Sequence, residues 1–208
     1  MRLFSSALVI IFSLFCLQVQ AYQPEEGNVT ATLGPYFYKT DFSGVPSRIS
    51  SPWMGDGGLI VNGDLNKTES LEIALFHLNK RFLRSRDNLY LEELTQIIHV
   101  TMGYKRWITS RYSFSIGFYS EYPLGPIRVV RNDFPPDSAP LTSAHNNTEY
   151  GFDLAAQAEI WQWKKFDLIT EARYAVALTP HDHEKSNHYG FFVGLRFLVQ
   201  SKFKPKSY

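Results

Sequence analysis

Apolar and polar residues alternate along three segments near the end of the chain, at residues 150–160, 166–178 and 189–199. In each segment one side carries mainly aromatic and aliphatic residues. The other side mixes glycine, alanine and charged residues. Side chains of a β-strand point alternately to its two faces, so this period of two predicts strands with one apolar and one mixed face. Each segment has about the ten residues that a tilted strand needs to cross a bilayer.

Five earlier segments show the same alternation and bring the number of predicted strands to eight. They are residues 28–38, 58–65, 70–82, 93–107 and 112–121. Pro35 has no backbone N–H, which predicts a bulge or weak pairing in the first strand. The predicted connections alternate in length, with long loops at 40–57, 83–92 and 122–148. An up-and-down barrel with short turns at one end and long loops at the other has this order of connections.

Residues 1–21 have the pattern of an export signal. Arg2 is followed by a nearly all-apolar stretch, and Val19 and Ala21 have the spacing of a cleavage site. Cys16 is the only cysteine, so the mature chain is expected to lack disulfides and thiolate metal sites. Without Arg2 the 21 basic residues become 20, equal to the 20 acidic ones, which leaves no net field to attract nucleic acid. We expect residues 22–208 to form one domain with a short basic C-terminal tail.

The whole mature chain resembles the small outer-membrane barrels of the OmpA and OmpX type. The resemblance rests on the alternation, on the order of connections and on aromatic residues near the strand ends. It implies an all-β fold, an eight-stranded antiparallel up-and-down transmembrane β-barrel in the cell outer membrane. Because side chains fill the interior of so small a barrel, we expect a plugged polar lumen rather than a porin-like passage. The expected role is that of a non-enzymatic envelope or surface protein without a cofactor.

Polar residues of the last three strands fall on the predicted inward face. They are Asp153, Gln157, Glu159, Glu171, Arg173 and Arg196. Buried charges must be paired, so we interpret this set as a lumen ion network rather than a proton or ion path. In this interpretation Arg173 lies near Glu171 on its own strand and near Glu159 on the neighbouring strand.

The turn at residues 164–165 raises a question of register. If Glu159 and Arg173 both face inward, a two-residue turn would place one of the two strands inside out. A turn of three or five residues, or a β-bulge, is therefore expected. The alternation also places Trp161 and Trp163 inward, although tryptophans near short turns are expected in an interfacial girdle.

The sequence also contains candidates for a metal site and for an enzyme active site. His181, His183 and His188 lie close together near two acidic residues, but their spacing fits no metal signature, so we expect loop residues and no metal. Some barrels of the type that this chain resembles modify lipid A, which makes a lipid A-modifying enzyme the alternative function. Such an enzyme needs a nucleophile beside a base at the outer leaflet, and Ser120, Ser186 and His188 are the candidates.

Two further alternatives concern partners and fold. Lys80, Arg81, Arg84 and Arg86 surround a predicted outer loop, where they could bind lipopolysaccharide phosphates or face solvent. Three glycosylation-type sequences, beginning at residues 28, 66 and 146, also fit a soluble secreted lipocalin-like ligand-binding barrel. In that fold the apolar faces would point inward and the charged faces outward.

Overall fold

The computed structural model describes residues 22–46, 49–136, 138–163 and 165–201. The predicted signal segment and most of the basic tail lie outside these residues. Eight long strands run through the described chain: β1 Val29–Thr40, β2 Met54–Asp64, β3 Glu69–Arg86, β4 Leu89–Trp107, β5 Tyr112–Pro123, β7 Glu149–Trp163, β8 Phe166–Ala177 and β10 His188–Gln200. Two short strands, β6 Arg128–Asn132 and β9 Glu184–Lys185, complete the set.

The eight long strands close into a barrel. Each pairs antiparallel with the next in the chain, and β1 closes the ring by pairing with β10, for example at Leu33 and Leu195. Gly34 and Pro35 interrupt this last ladder, because proline cannot donate a hydrogen bond to it. The predicted eight-stranded antiparallel barrel is thus confirmed. Within the described residues, no helix has the length and apolar character needed to cross a membrane.

The connections distinguish the two ends of the barrel. At the end that we call the short-turn end, residues 65–68, 108–111 and 164–165 join the strands. The long-loop end carries the connections 41–53, 124–148 and 178–187. Here β6 extends the sheet beside β4, and β9 extends it beside β3.

The loop predicted at residues 83–92 is wrong. Strands β3 and β4 instead continue past the barrel as a hairpin that turns at Asp87 and Asn88. These two residues have φ values of 50° and 61°, as a two-residue type I′ turn requires, and aspartate and asparagine tolerate this conformation. The charged residues that suggested a loop therefore lie on an arm formed by the β3–β4 hairpin, with β6 and β9 paired along its base.

A β-bulge in β7 settles the register between β7 and β8. Glu159 pairs with Ile169, but Trp161 pairs with Leu168, so one extra residue is inserted between these pairs. Beyond the bulge the phase is reversed, and Trp161 and Trp163 face outward with 51% and 56% of their surface exposed. Their predicted inward placement is therefore wrong, and the two-residue turn is compatible with an inward-facing Arg173.

The outer wall of the barrel is apolar and the interior is largely polar. Exposed side chains on the wall include Leu33, Leu71, Met102, Phe114, Phe152, Leu195 and many others. On the inside, rings of β1, β3 and β10 pack together on one side, with Tyr36 4.7 Å and Phe192 5.8 Å from Phe76. Charged side chains, from these strands as well as the others, fill the rest of the interior. The lipocalin-like alternative is wrong because its faces would be inverted.

Candidate functional site in the barrel lumen

A first group of polar residues closes the lumen near the short-turn end. Arg196 of β10 forms ion pairs with Glu159 of β7 and with Asp167 of β8, the latter at 2.9 Å. Trp107 donates from its indole nitrogen to Ser70 at 2.9 Å. The predicted contact between Glu159 and Arg173 is therefore wrong, since the guanidinium beside Glu159 is that of Arg196.

Tyr22, which precedes the first strand, covers this group at the short-turn end. Its hydroxyl donates to Asp64 Oδ2 at 2.6 Å, and its backbone N–H donates to Glu159 Oε2 at 3.2 Å. Its ring lies 4.4 Å from the guanidinium carbon of Arg196. Burial, reinforced by the Asp64 carboxylate, raises the pKa of the Tyr22 hydroxyl well above its usual range, so the phenol remains a hydrogen-bond donor.

Arg173 is the centre of a second group at mid-height. Its guanidinium contacts Asp153 at 2.6 Å, Glu171 at 2.7 Å and Glu72 at 2.8 Å. Glu72 also binds Lys105 at 2.6 Å. In the order of strands around the ring, Arg173 on β8 stands directly across from Glu72 on β3. This ion pair therefore spans the full width of the lumen.

A third group lies toward the long-loop end. Lys80 Nζ stands 2.5 Å from Glu121 and 2.5 Å from Glu149. His99 lies beside it, with Nδ1 2.8 Å from Glu121 Oε1 and Nε2 3.1 Å from Asp153 Oδ2. His188, on β10, is buried against the His99 ring. All of these side chains are at most 3% exposed, so water does not screen their charges.

Carboxylates outnumber basic side chains in this interior. Among the described lumen residues the buried carboxylates are Asp64, Glu72, Glu121, Glu149, Asp153, Glu159, Asp167 and Glu171. The buried lysines and arginines are Lys80, Lys105, Arg173 and Arg196. Uncompensated buried charge is costly, so protons or another cation must offset this surplus.

The structure places all six predicted network residues inside the barrel. Arg173, Asp153 and Glu171 meet in the mid-height group, and Gln157 accepts a hydrogen bond from Lys105 at 2.8 Å. The other two, Glu159 and Arg196, belong to the group at the short-turn end.

Several interior partners were not included in the predicted network, namely Glu72, Lys80, Lys105, Glu121, Glu149 and Asp167. Glu72 and Lys80 follow the two-residue period of β3, so their inward direction was readable in the sequence. Lys80, which we expected beside an outer loop, is buried instead. The alternation does not show which strand across the lumen each side chain contacts.

The two candidate nucleophiles lie in different places, and Ser186 is buried in the short segment between β9 and β10. Ser120 lies on the outward phase of β5 beside Tyr122, whereas His188 is buried in the lumen, so the two do not form a nucleophile and base pair. His181 and His183 remain in the loop before β9. Only His188 of that histidine cluster enters the barrel.

The outer arginines are also divided. Arg81 forms an ion pair with Glu92, and Arg84 donates to the carbonyl of Leu141. Arg86 is largely exposed near the hairpin tip, 3.6 Å from Asp87. The three therefore form no single basic patch.

Comparison with known proteins identifies the class of fold. No protein-family model and no curated protein matches the sequence. Among solved structures, the outer membrane protein OprG from Pseudomonas aeruginosa matches with a TM-score of 0.52 and 8% identity, covering 88% of this chain and 100% of OprG. Ail of Yersinia pestis gives a TM-score of 0.43 with 12% identity over 83% of this chain and 99% of its own. AlkL, an outer membrane protein, gives 0.41 with 7% identity over 90% of this chain and 97% of its own. By fold, the chain is a closed eight-stranded antiparallel β-barrel similar to that of the outer membrane protein OprG.

Proposed function

We propose that the protein serves as a non-conducting, non-enzymatic barrel of the outer membrane. The observation that carries this proposal is the ion pair between Arg173 and Glu72, which joins opposite walls of the lumen at 2.8 Å. Ion pairs above and below it, centred on Lys80 and Arg196, occupy the remaining height. An eight-stranded barrel has an interior just wide enough to be filled by side chains, so these groups form a plug.

The outer surface supports the same role. The barrel ring is closed, so the strands present no unpaired edge to lipid. Exposed aromatic residues gather near both ends of the apolar wall. Trp161 and Trp163 lie toward the short-turn end, and Trp53 and Tyr150 toward the long-loop end. Such paired girdles are typical of barrels that sit in a bilayer. The long-loop end would then face outward from the cell.

Conductance across a planar lipid bilayer tests the plug. The unmodified protein should insert without producing channel steps. The double variant Arg173→Ala, Glu72→Ala removes the pair that crosses the lumen and should produce small, ion-dependent steps. Arg106→Ala is the control, because Arg106 lies on the outside near the short-turn end, where its ion pair with Glu69 is exposed. Channel steps from the unmodified protein would refute the proposal.

We also infer that the projecting arm contacts phosphate groups of lipopolysaccharide. Arg86 is mostly exposed, and Arg84 lies near it on the same strand. Because Arg81 is already held by Glu92, we assign it a minor part in this contact. Binding of lipopolysaccharide vesicles should weaken in Arg84→Gln, Arg86→Gln, remain unchanged in Arg106→Gln, and be lost with dephosphorylated lipid. Equal binding by all variants would show that the arm takes no part.

A further inference from the structure

Three buried side chains from different walls of the barrel meet in the lumen toward the long-loop end. His99 lies on β4, Glu121 on β5 and His188 on β10, and β4 stands directly across the ring from β10. One ligand-type atom from each of the three lies within 4.8 Å of the other two. Two imidazoles and a carboxylate are a donor set that suits zinc, copper or iron.

His188 is buried without a hydrogen-bond partner. It is 1% exposed, and neither ring nitrogen has a partner among the described residues. Its Nδ1 stands 3.9 Å from Glu121 Oε1, and its ring centroid lies 5.1 Å from that of His99. Leaving a buried polar group unsatisfied costs about 1–3 kcal/mol, so this imidazole requires an explanation.

His99 presents a related problem. Its Nε2 is 3.1 Å from Asp153 Oδ2, and its Nδ1 is 2.8 Å from Glu121 Oε1. A neutral imidazole has one N–H and one bare nitrogen. If Nε2 donates to Asp153, the bare Nδ1 faces a carboxylate oxygen, a clash that a second proton or a metal ion would remove. The Thr101 hydroxyl, 3.1 Å from Nε2, is the one neutral partner within reach among the described residues. With a metal, Asp153 would orient His99 as carboxylates commonly orient metal-binding histidines.

We propose that His99, Glu121 and His188 bind one divalent transition-metal ion, for which Zn²⁺ is the test ion. Lys80 does not occupy the required oxygen, since it binds Glu121 through Oε2 and leaves Oε1 toward the histidines. The ion would offset part of the carboxylate surplus in the lumen. Small movements would bring the three donors to the roughly 2.0–2.2 Å that zinc requires, and the ion would then link opposite walls.

The experiment uses the full mature chain, folded in detergent and freed of metal. Zinc binding is measured by calorimetry and by metal content after dialysis. His188→Phe keeps a ring of similar size and removes both nitrogens. In the converse variant the other four histidines, His77, His145, His181 and His183, are all replaced by asparagine. The shift in gel mobility between heated and unheated samples reports folding of each variant.

We expect one zinc ion per barrel in the unmodified protein and in the four-histidine variant. In His188→Phe the affinity should fall by more than about tenfold, since even loss of an outer-shell partner typically costs 10–100-fold. Absence of zinc from the unmodified protein would overturn the proposal. Loss of zinc from the four-histidine variant would also overturn the proposal, because the zinc site would then include one of the four replaced histidines. That variant decides the matter if His188→Phe does not fold.

Discussion

Replacement of Arg173 by alanine should be among the most destabilising single changes in the barrel. Arg173 neutralises three buried carboxylates, but its removal would not leave all three equally without partners. Glu72 keeps Lys105, and Asp153 keeps its hydrogen bond from Thr101 at 2.7 Å. Glu171 is different, because its Oε1 binds Arg173 and its Oε2 has no hydrogen-bond partner among the described residues. Removing one member of a buried charge network costs about 3–5 kcal/mol.

Urea unfolding in lipid vesicles, followed by tryptophan fluorescence, measures this free energy. Arg106→Ala is a matched control, because its ion pair with Glu69 is exposed and should contribute about 0–1 kcal/mol. Ala172→Leu, on the lipid-facing side of β8, should also change little. The double variant Arg173→Met, Glu171→Gln should recover part of the lost free energy of unfolding, because it removes the unpaired negative charge of Glu171. A cost for Arg173→Ala no greater than that of Arg106→Ala would refute the reasoning.

Three other outcomes follow from the geometry. Gly58→Ala should cost about 1–3 kcal/mol in urea unfolding, since its Cβ would lie 2.3 Å from a buried ring, whereas Gly57→Ala meets nothing within 4 Å and should be tolerated. In single-tryptophan variants, brominated lipid should quench the fluorescence of Trp161 but not of the buried Trp107. The opposite result would mean that the apolar face, which we place outside, lies inside the barrel. Asn88→Val should lower the thermal stability of the arm and Asn88→Gly should not, because only the valine resists a positive φ; equal melting would argue against the type I′ turn.

The barrel strands were readable from the sequence because the apolar wall imposes a strict period of two. The strand predicted at 166–178 is Phe166–Ala177 in the structure, and the one predicted at 189–199 is His188–Gln200. The inward phase was equally readable. His188 continues the even-numbered inward positions that lead to Arg196, so its separation from the loop histidines could have been inferred from that phase.

The remaining features depend on interactions that a local pattern does not contain. The arm at the tip of β3 and β4 is rich in charged residues, but it also packs Leu83 and Tyr90 against Phe42 and Ile49 of the loop between β1 and β2. Contacts with so distant a loop are not visible in the local pattern. The bulge before Trp161 shifts the phase by one residue without any proline or glycine to mark it. The partner of Arg173 across the lumen depends on closure of the ring, which brings β3 and β8 together from positions about a hundred residues apart.

The ion pairs between non-neighbouring strands also constrain how the chain can enter a membrane. The hairpin of β3 and β4 carries Lys80, whose two carboxylate partners lie on β5 and β7. A lysine facing lipid costs up to about 2–4 kcal/mol at the bilayer midplane and less toward the interface, and a hairpin inserted alone would bear such a cost until the later strands arrived. Glu159 on β7 would similarly remain unpaired until Arg196 on the last strand entered the bilayer. Insertion one hairpin at a time is therefore unfavourable, and assembly should be concerted, with the strands crossing the bilayer as the ring closes.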